Sequence, residues 1–503
     1  MSAARRHSVS FVTVALLGIV GLTSAYVARL AFAEPPPRDG QWRKVEEALN
    51  KGLPKTAIQE LDPIIESAMK DKVYPEAVKA IAKKIALEGT IQGNKPEERI
   101  TRMTAEIARA PKEMVPAMEA LLAHWYWHYF QQNRWRFVQR TTTAAPPGPD
   151  FTTWDLPRLF REIDEHFTKA LANAPTLKTI PIADYDAILE KGNLPDAYRP
   201  TLYDFLAFEA LNFYASAEQA GAKAEDVFEI DADSPALAPA DEFLKWKPET
   251  TDAGSRKFKA FRLYQDVLRF HKDDTDRTAY LDADLNRLQF AYNQATGEEK
   301  TARYKAALST FADTQAKHEL SATALARLAQ VIHGEGDQVE ARKVAERAVK
   351  AYPDSRGGKT AYNLIRQIEA KEVNVQAERV WTDPLPAIQV RYRNITKVHF
   401  RLIRADWVAR LGGNRFRPEH LSPQDTAQFL AQRPDAEFSA DLPATADYDA
   451  STQEVPVPKG LKPGFYFLFA SPDGEFQTQD NPISATDVWV SDLAVVVRTE
   501  WNA

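Results

Sequence analysis

The chain contains no cysteine. That excludes disulfides, a thiol nucleophile, a lipid-modified cysteine anchor and any internal thioester formed by this polypeptide. An exported eukaryotic protein of this size ordinarily carries disulfides, so their absence points to a bacterial envelope protein held by packing alone. Glycine is sparse, 20 in 503 residues. No glycine-rich phosphate loop, serine elbow or paired-carboxylate motif occurs, and catalysis has no positive support. Lysine and arginine are scattered along helices and the formal net charge is −6. A concentrated basic face, which phosphate backbones require, is missing, so nucleic acid is not expected as a partner.

What is present begins with a targeting pattern. Arg5 and Arg6 precede an uncharged apolar or small stretch from Phe11 to Tyr26, and Ala31-Phe32-Ala33 offers the small residues a signal peptidase prefers. Glu34-Pro35-Pro36-Pro37 follows, which cannot continue a helix. Residues 1–33 therefore read as a signal peptide or an N-terminal membrane anchor. Cleavage after Ala33 removes Arg5, Arg6 and Arg29 with no acid, taking the formal charge from −6 to −9. Residues 9–33 are also long enough to associate with an inner membrane uncleaved, with Arg29 snorkelling. Both outcomes place the rest of the chain in the periplasm.

After a linker over 34–41, the chain reads as a helical repeat-like region over 42–371. Alanine is frequent and apolar residues recur at three- and four-residue spacing, as in Leu263, Val267 and Phe270. Leu328-Ala329, Gly336, Ala341, Ala348 and Pro353 resemble one tetratricopeptide unit: small residues for close helix approach, a glycine for the turn and a proline to close the second helix. Trp42, Gly52 and Ala57 repeat the pattern faintly, with Pro54 able to open the second helix. The expected fold is an irregular α-solenoid, with an unrelated helical bundle as the other reading. Two interruptions stand out, a loop at 141–150 and a stretch over 230–251 rich in Asp, Pro and Ala, expected to be a long surface connection.

Beyond Lys371 the pattern switches to period two. Ile388, Val390 and Tyr392 alternate with polar residues, as do Val398, Phe400 and Leu402; Phe465 to Ala470 and Val488 to Val497 read as buried strands. Asn394 and Pro463-Gly464 supply turns. Residues 372–503 are thus expected to form an antiparallel β-sandwich, with a short helix over 422–433 capped by Ser422 and opened by Pro423. The fold class is multidomain α plus β.

Three clusters invite a chemical reading. His124 and His128 share a helix face, but a zinc protease needs a glutamate where Trp125 stands, and no third ligand is apparent. The aromatic block from Trp125 to Phe137 reads as the core of a helical pair, with Arg134 and Arg136 on rings or acids; a groove for a peptide or glycan is the alternative. Asp273, Asp274, Asp276, Asp282 and Asp284 lack the glycine and closing glutamate of a calcium loop and read as helix caps or solvated faces. No catalytic, cofactor or metal residue is assigned.

The run Phe438-Ser439-Ala440-Asp441-Leu442-Pro443, then Val455-Pro456-Val457-Pro458, then Leu461-Lys462-Pro463-Gly464-Phe465-Tyr466-Phe467-Leu468 resembles the N-terminal macroglobulin-type domain of bacterial alpha-2-macroglobulins. Val488-Trp489-Val490-Ser491-Asp492-Leu493-Ala494 resembles that family's following strand, and Val390 to Asn394 with Val398 to Leu402 resembles its upstream strand pair. The helical region, including Phe151 to Leu156, is similar to a helical N-terminal extension carried by one group of these proteins. The resemblance implies an envelope protease inhibitor that traps its target after bait cleavage, some members bonding it through a Cys-Gln thioester. This chain has neither bait nor cysteine, and one such module instead of many, so it is expected to be a non-catalytic N-terminal portion whose further macroglobulin domains normally share the chain. Its implied partners are proteases or envelope proteins. An exported helical-repeat scaffold binding an envelope partner is the alternative.

Overall fold

The computed structural model describes residues 38–93, 96–138, 148, 150–186, 188–189, 192, 194–216, 228–252, 254–412 and 417–493. The targeting segment at 1–33, nearly all of the 141–150 loop and the strand text beyond Leu493 lie outside the described residues. The chain divides into two compact units, 1–307 and 308–503. Helices fill the first; the second begins with helices and ends in β-sheet.

In the first unit the described helices are α1 (Asp39–Asn50), α2 (Pro54–Lys70), α3 (Tyr74–Ile91), α4 (Pro96–Arg109), α5 (Val115–Gln132), α6 (Arg134–Val138), α7 (Leu156–Leu171), α8 (Ala174–Leu177), α9 (Leu202–Tyr214), α10 (Ala240–Lys245), α11 (Arg256–Phe270) and α12 (Thr278–Gln294), and the division falls within α13 (Lys300–Thr314). Helix α1 starts at Asp39, inside the stretch expected as linker. Its connection to α2 turns at Gly52, whose φ of +69° suits a residue without Cβ. Pro54 opens α2, where a missing N–H costs nothing, and Val45, Ala57, Leu61 and Ile64 close a buried seam between the two helices. Arg38, 3% exposed, fastens this start: Nε donates to Glu76 at 2.6 Å and Nη1 to Asp71 at 2.7 Å.

The stretch expected as a surface connection is exposed in part, as at Asp231, Asp233, Asp241 and Glu242, but turns some of its apolar side chains inward. Ile230, Ala232, Ala236, Leu237 and Phe243 are all buried. Its apolar residues are spaced irregularly, so neither period announced them, and burial became possible because helices satisfy its backbone. Gln265 of α11 donates to the carbonyls of Phe243 and Trp246, both at 2.8 Å. Arg287 of α12, wholly buried, donates to those of Ala236 and Ala238.

In the second unit α14 (Leu320–Glu335) and α15 (Gln338–Ala351) are separated by Gly336, at φ +98°, and Asp337, whose carboxylate caps α15. Ala329, Ala341, Ala345 and Ala348 are buried. Then α16 (Arg356–Ile368) returns against α14, and Gly357 sets their spacing: a Cβ there would lie 2.2 Å from the Thr323 backbone nitrogen.

The switch to strands comes between Ile368 and Glu372. Strands β1 (Glu372–Gln376), β3 (Ala387–Arg393) and β6 (Ser451–Pro456) form an antiparallel sheet in the order β1-β3-β6. The second sheet has the order β2-β8-β7-β4-β5, from β2 (Val380–Trp381), β4 (Lys397–Ala405), β5 (Ala436–Asp441), β7 (Gly464–Ser471) and β8 (Ser484–Val490). Among the described strands of this sheet, β2 with β8 is the one parallel pair. Alternate residues of both sheets enter one buried cluster: Val375, Ile388, Val390 and Tyr392 from the first, Val398, Phe400, Leu402, Tyr466 and Leu468 from the second.

Strand β7 is apolar on both faces, and its second face is covered too. Helices α17 (Trp407–Gly412) and α18 (Pro423–Leu430), inserted between β4 and β5, bring Trp407 and Phe429 onto Phe465, Phe467 and Phe469. Ser422 and Asp425 form a capping box and Pro423 takes the first turn of α18, as the sequence predicts. The last strand differs from expectation: β8 begins at Ser484 and ends at Val490, and Ser491 to Leu493 are not strand. Leu493 is 80% exposed, so no apolar contact extends the ladder there.

Candidate functional site: the histidine helix and its aromatic neighbours

Helix α5 carries both the His124/His128 pair and most of the aromatic block. Every residue from Pro116 to Ala123 is buried, which leaves no amphipathic stripe and makes α5 a central helix. The structure separates the two histidines by environment. His124 Nε2 lies against the carboxylate of Glu209 on α9, whose side chain is 3% exposed. His128 is exposed and meets Gln132 one turn on, 2.7 Å away. Among the described residues, no group of three or more His, Cys, Asp or Glu side chains could hold a metal ion.

The aromatic block divides likewise. Tyr126, Tyr129, Phe130 and Phe137 are buried. Tyr129 and Tyr126 meet the Phe151 ring edge-on at 4.9 and 5.1 Å, and Phe130 meets Phe160 at 5.0 Å. Such edge-to-face pairs add on the order of 1 kcal/mol each beyond area burial. Burial pushes the Tyr126 phenol well above its usual ionisation range. Trp135 departs from this core: it is 67% exposed, with the Arg136 guanidinium 5.8 Å over its ring.

The acids after α11 are not a solvated face throughout. Asp276 caps the start of α12 through the Thr278 amide. Asp274 reaches His271 at 2.6 Å. Asp282 and Asp284, 8% and 6% exposed, are buried beside Arg199 and Arg287 respectively. The reason is charge pairing: a guanidinium stands at bonding distance from each carboxylate, and Asn286 adds a 2.8 Å hydrogen bond to Asp282.

Two histidines not singled out in the sequence prove more deeply engaged than His124 and His128. His166 on α7 and His271 just past α11 are 5% and 1% exposed. His166 Nδ1 lies 2.5 Å from Glu119 of α5, and His271 Nε2 lies 2.7 Å from Asp204 of α9. One signal could have found them. Glu119 and Asp204 are acids inside otherwise apolar helical runs, and a carboxylate placed there needs a cationic partner.

No helix among the described residues is long and apolar enough to cross a membrane. No protein-family model matches the chain, and no curated protein matches it.

Proposed function

We propose that this chain is the non-catalytic N-terminal portion of a bacterial alpha-2-macroglobulin-like envelope protein, a tetratricopeptide-like helical array leading into one macroglobulin-type β-sandwich. The observation that carries the reading is the order of strands in the second unit. The segments whose text resembles the family, Val390 to Arg393 before the Asn394 turn, Val398 to Leu402, Phe438 to Asp441 and Phe465 to Leu468, are strands, and the last three are consecutive neighbours in one sheet. Their inner faces share a buried core with the other sheet, which is the arrangement a sandwich requires. The paired helices around Gly52 and Gly336 supply the repeat-like extension. Without cysteine or a bait segment, the chain captures no protease alone; it positions and supports domains that do.

Affinity capture of the tagged chain from envelope extracts, with mass spectrometry of what accompanies it, tests this. The expected result is a macroglobulin-type polypeptide in a fixed ratio, or a parent chain well above 56.5 kDa. A stoichiometric envelope protein of another kind, with no such polypeptide, would support the scaffold reading instead. The same sample reports the N-terminal residue: Glu34 marks cleavage, and retention of residues 1–33 marks an anchor.

A further inference from the structure

Three histidine–carboxylate pairs, two of them with a buried histidine, join separate helices of the first unit. His166 ties α7 to Glu119 of α5, His124 ties α5 to Glu209 of α9, and His271 ties the end of α11 to Asp204 of α9. Two of these histidines are engaged on both ring nitrogens. His166 also has Nε2 at 3.4 Å from Glu162 one turn back, and His271 has Nδ1 at 2.6 Å from Asp274. A neutral imidazole carries one N–H and one lone pair, so it satisfies one carboxylate and turns a lone pair on the other. Only the imidazolium donates on both sides.

The surroundings favour that form. Around His166 the facing groups are Glu119 and Glu162, with Arg158 and Lys169 beyond Glu162 and the Tyr126 ring stacked at 5.6 Å. Around His271 they are Asp204 and Asp274, and Arg277 donates to the His271 carbonyl. Asp204 is fixed in turn in the capping box that Thr201 opens at the start of α9, accepting from the Thr201 amide at 3.0 Å and hydroxyl at 2.7 Å. His124 adds Glu209, and His128, one turn along α5, has Arg99 and His124 as its charged neighbours.

We propose that α5, α7, α9 and α11 form a proton-operated clasp, closed while His166 and His271 are imidazolium and released as those protons are lost. Burial, the largest single influence on each ring, opposes the charge, but the hydrogen bonds to Glu119 and Glu162, and to Asp204 and Asp274, outweigh it and raise both pKa values. The sign follows. A histidine whose folded pKa stands above its unfolded value of about 6.5 contributes stability fully below that value and loses it as pH rises through the folded pKa. The helical core therefore tightens in mildly acidic surroundings and loosens in alkaline ones. This inference stands apart from the macroglobulin reading and holds for any partner the chain serves.

Hydrogen exchange of the full chain, compared at about pH 6 and about pH 8.5 after correction for intrinsic rates, tests it. Protection in α5, α7, α9 and α11 is expected to fall at the higher pH, on the order of tenfold for each pH unit by which a folded pKa exceeds the ordinary value. Protection in α14, α15 and α16 is expected to hold. An equal change in both sets of helices, or none, overturns the proposal. A Glu119→Gln variant separates the two clasps: the pH response of α5 and α7 flattens while that around His271 persists, and an unaltered response in α5 and α7 contradicts the assignment. Should that variant fail to fold, proton NMR of the unaltered chain decides, with two histidine ring signals titrating above the ordinary range expected and none doing so contrary to it.

Discussion

Arg287 Nη1 donates to the carbonyl of Ala236 at 2.7 Å, across 51 residues of chain, from a side chain with no solvent exposure. The same guanidinium reaches Ala238 at 2.8 Å, pairs with Asp284 and lies 4.7 Å over the Phe243 ring. A segment with the composition of a surface loop is thereby held against the first unit, with Ala236, Leu237 and Phe243 buried. Replacing Arg287 with Met keeps most of the volume but strands the Asp284 carboxylate and two carbonyls. The expected loss is about 3–5 kcal/mol of unfolding free energy in that unit, read by urea denaturation. A double variant with Asp284→Leu is expected to recover part of that loss, because it removes the unpaired charge.

Two glycines in the second unit make opposite expectations. At Gly357 an added Cβ meets the backbone of Ala322 and Thr323, which cannot swing aside as a side chain end can. Gly357→Ala is expected to cost about 1–3 kcal/mol by driving α16 off α14. Gly334, inside α14, has nothing within 4 Å of the same position. Gly334→Ala is expected to gain about 0.5–1 kcal/mol, since alanine loses less backbone entropy in a helix. Thermal melts followed by circular dichroism check both.

Asn394 stitches the helix-to-strand switch. Its backbone is left-handed at φ +58°, and its side-chain amide donates to the carbonyls of Ile368 at 2.7 Å and Ala370 at 3.0 Å. Asn394→Gly keeps the turn and loses both bonds, at an expected cost of about 1–2 kcal/mol. Asn394→Ala adds the strain of a Cβ in that region and is expected to cost more. Hydrogen exchange at the start of β1 is the local readout.

Period explains what the sequence made legible. Strands β3, β4 and β7, the Ser422 cap and the Gly336 turn follow from spacing and from residues with one conformational use. Long-range pairing leaves only a hint, an acid inside an apolar run, without the identity of its partner. Nothing near His166 points to Glu119, 47 residues away, and nothing near His271 points to Asp204, 67 residues away. The same limit hid the anchoring of residues 236–246, which depends on donors from Gln265 and Arg287. The two-faced burial of β7 was legible in its unbroken apolar run, but that run does not say that α17 and α18 cover one face.

The most direct measurement is the nucleotide sequence that follows the codon for Ala503, in the same or an adjacent reading frame. Further β-sandwich domains with a bait segment are expected there, continuing the order begun by β3, β4 and β7. A following region that encodes no such domains, in a cell whose envelope holds none paired with this chain, would contradict the macroglobulin assignment.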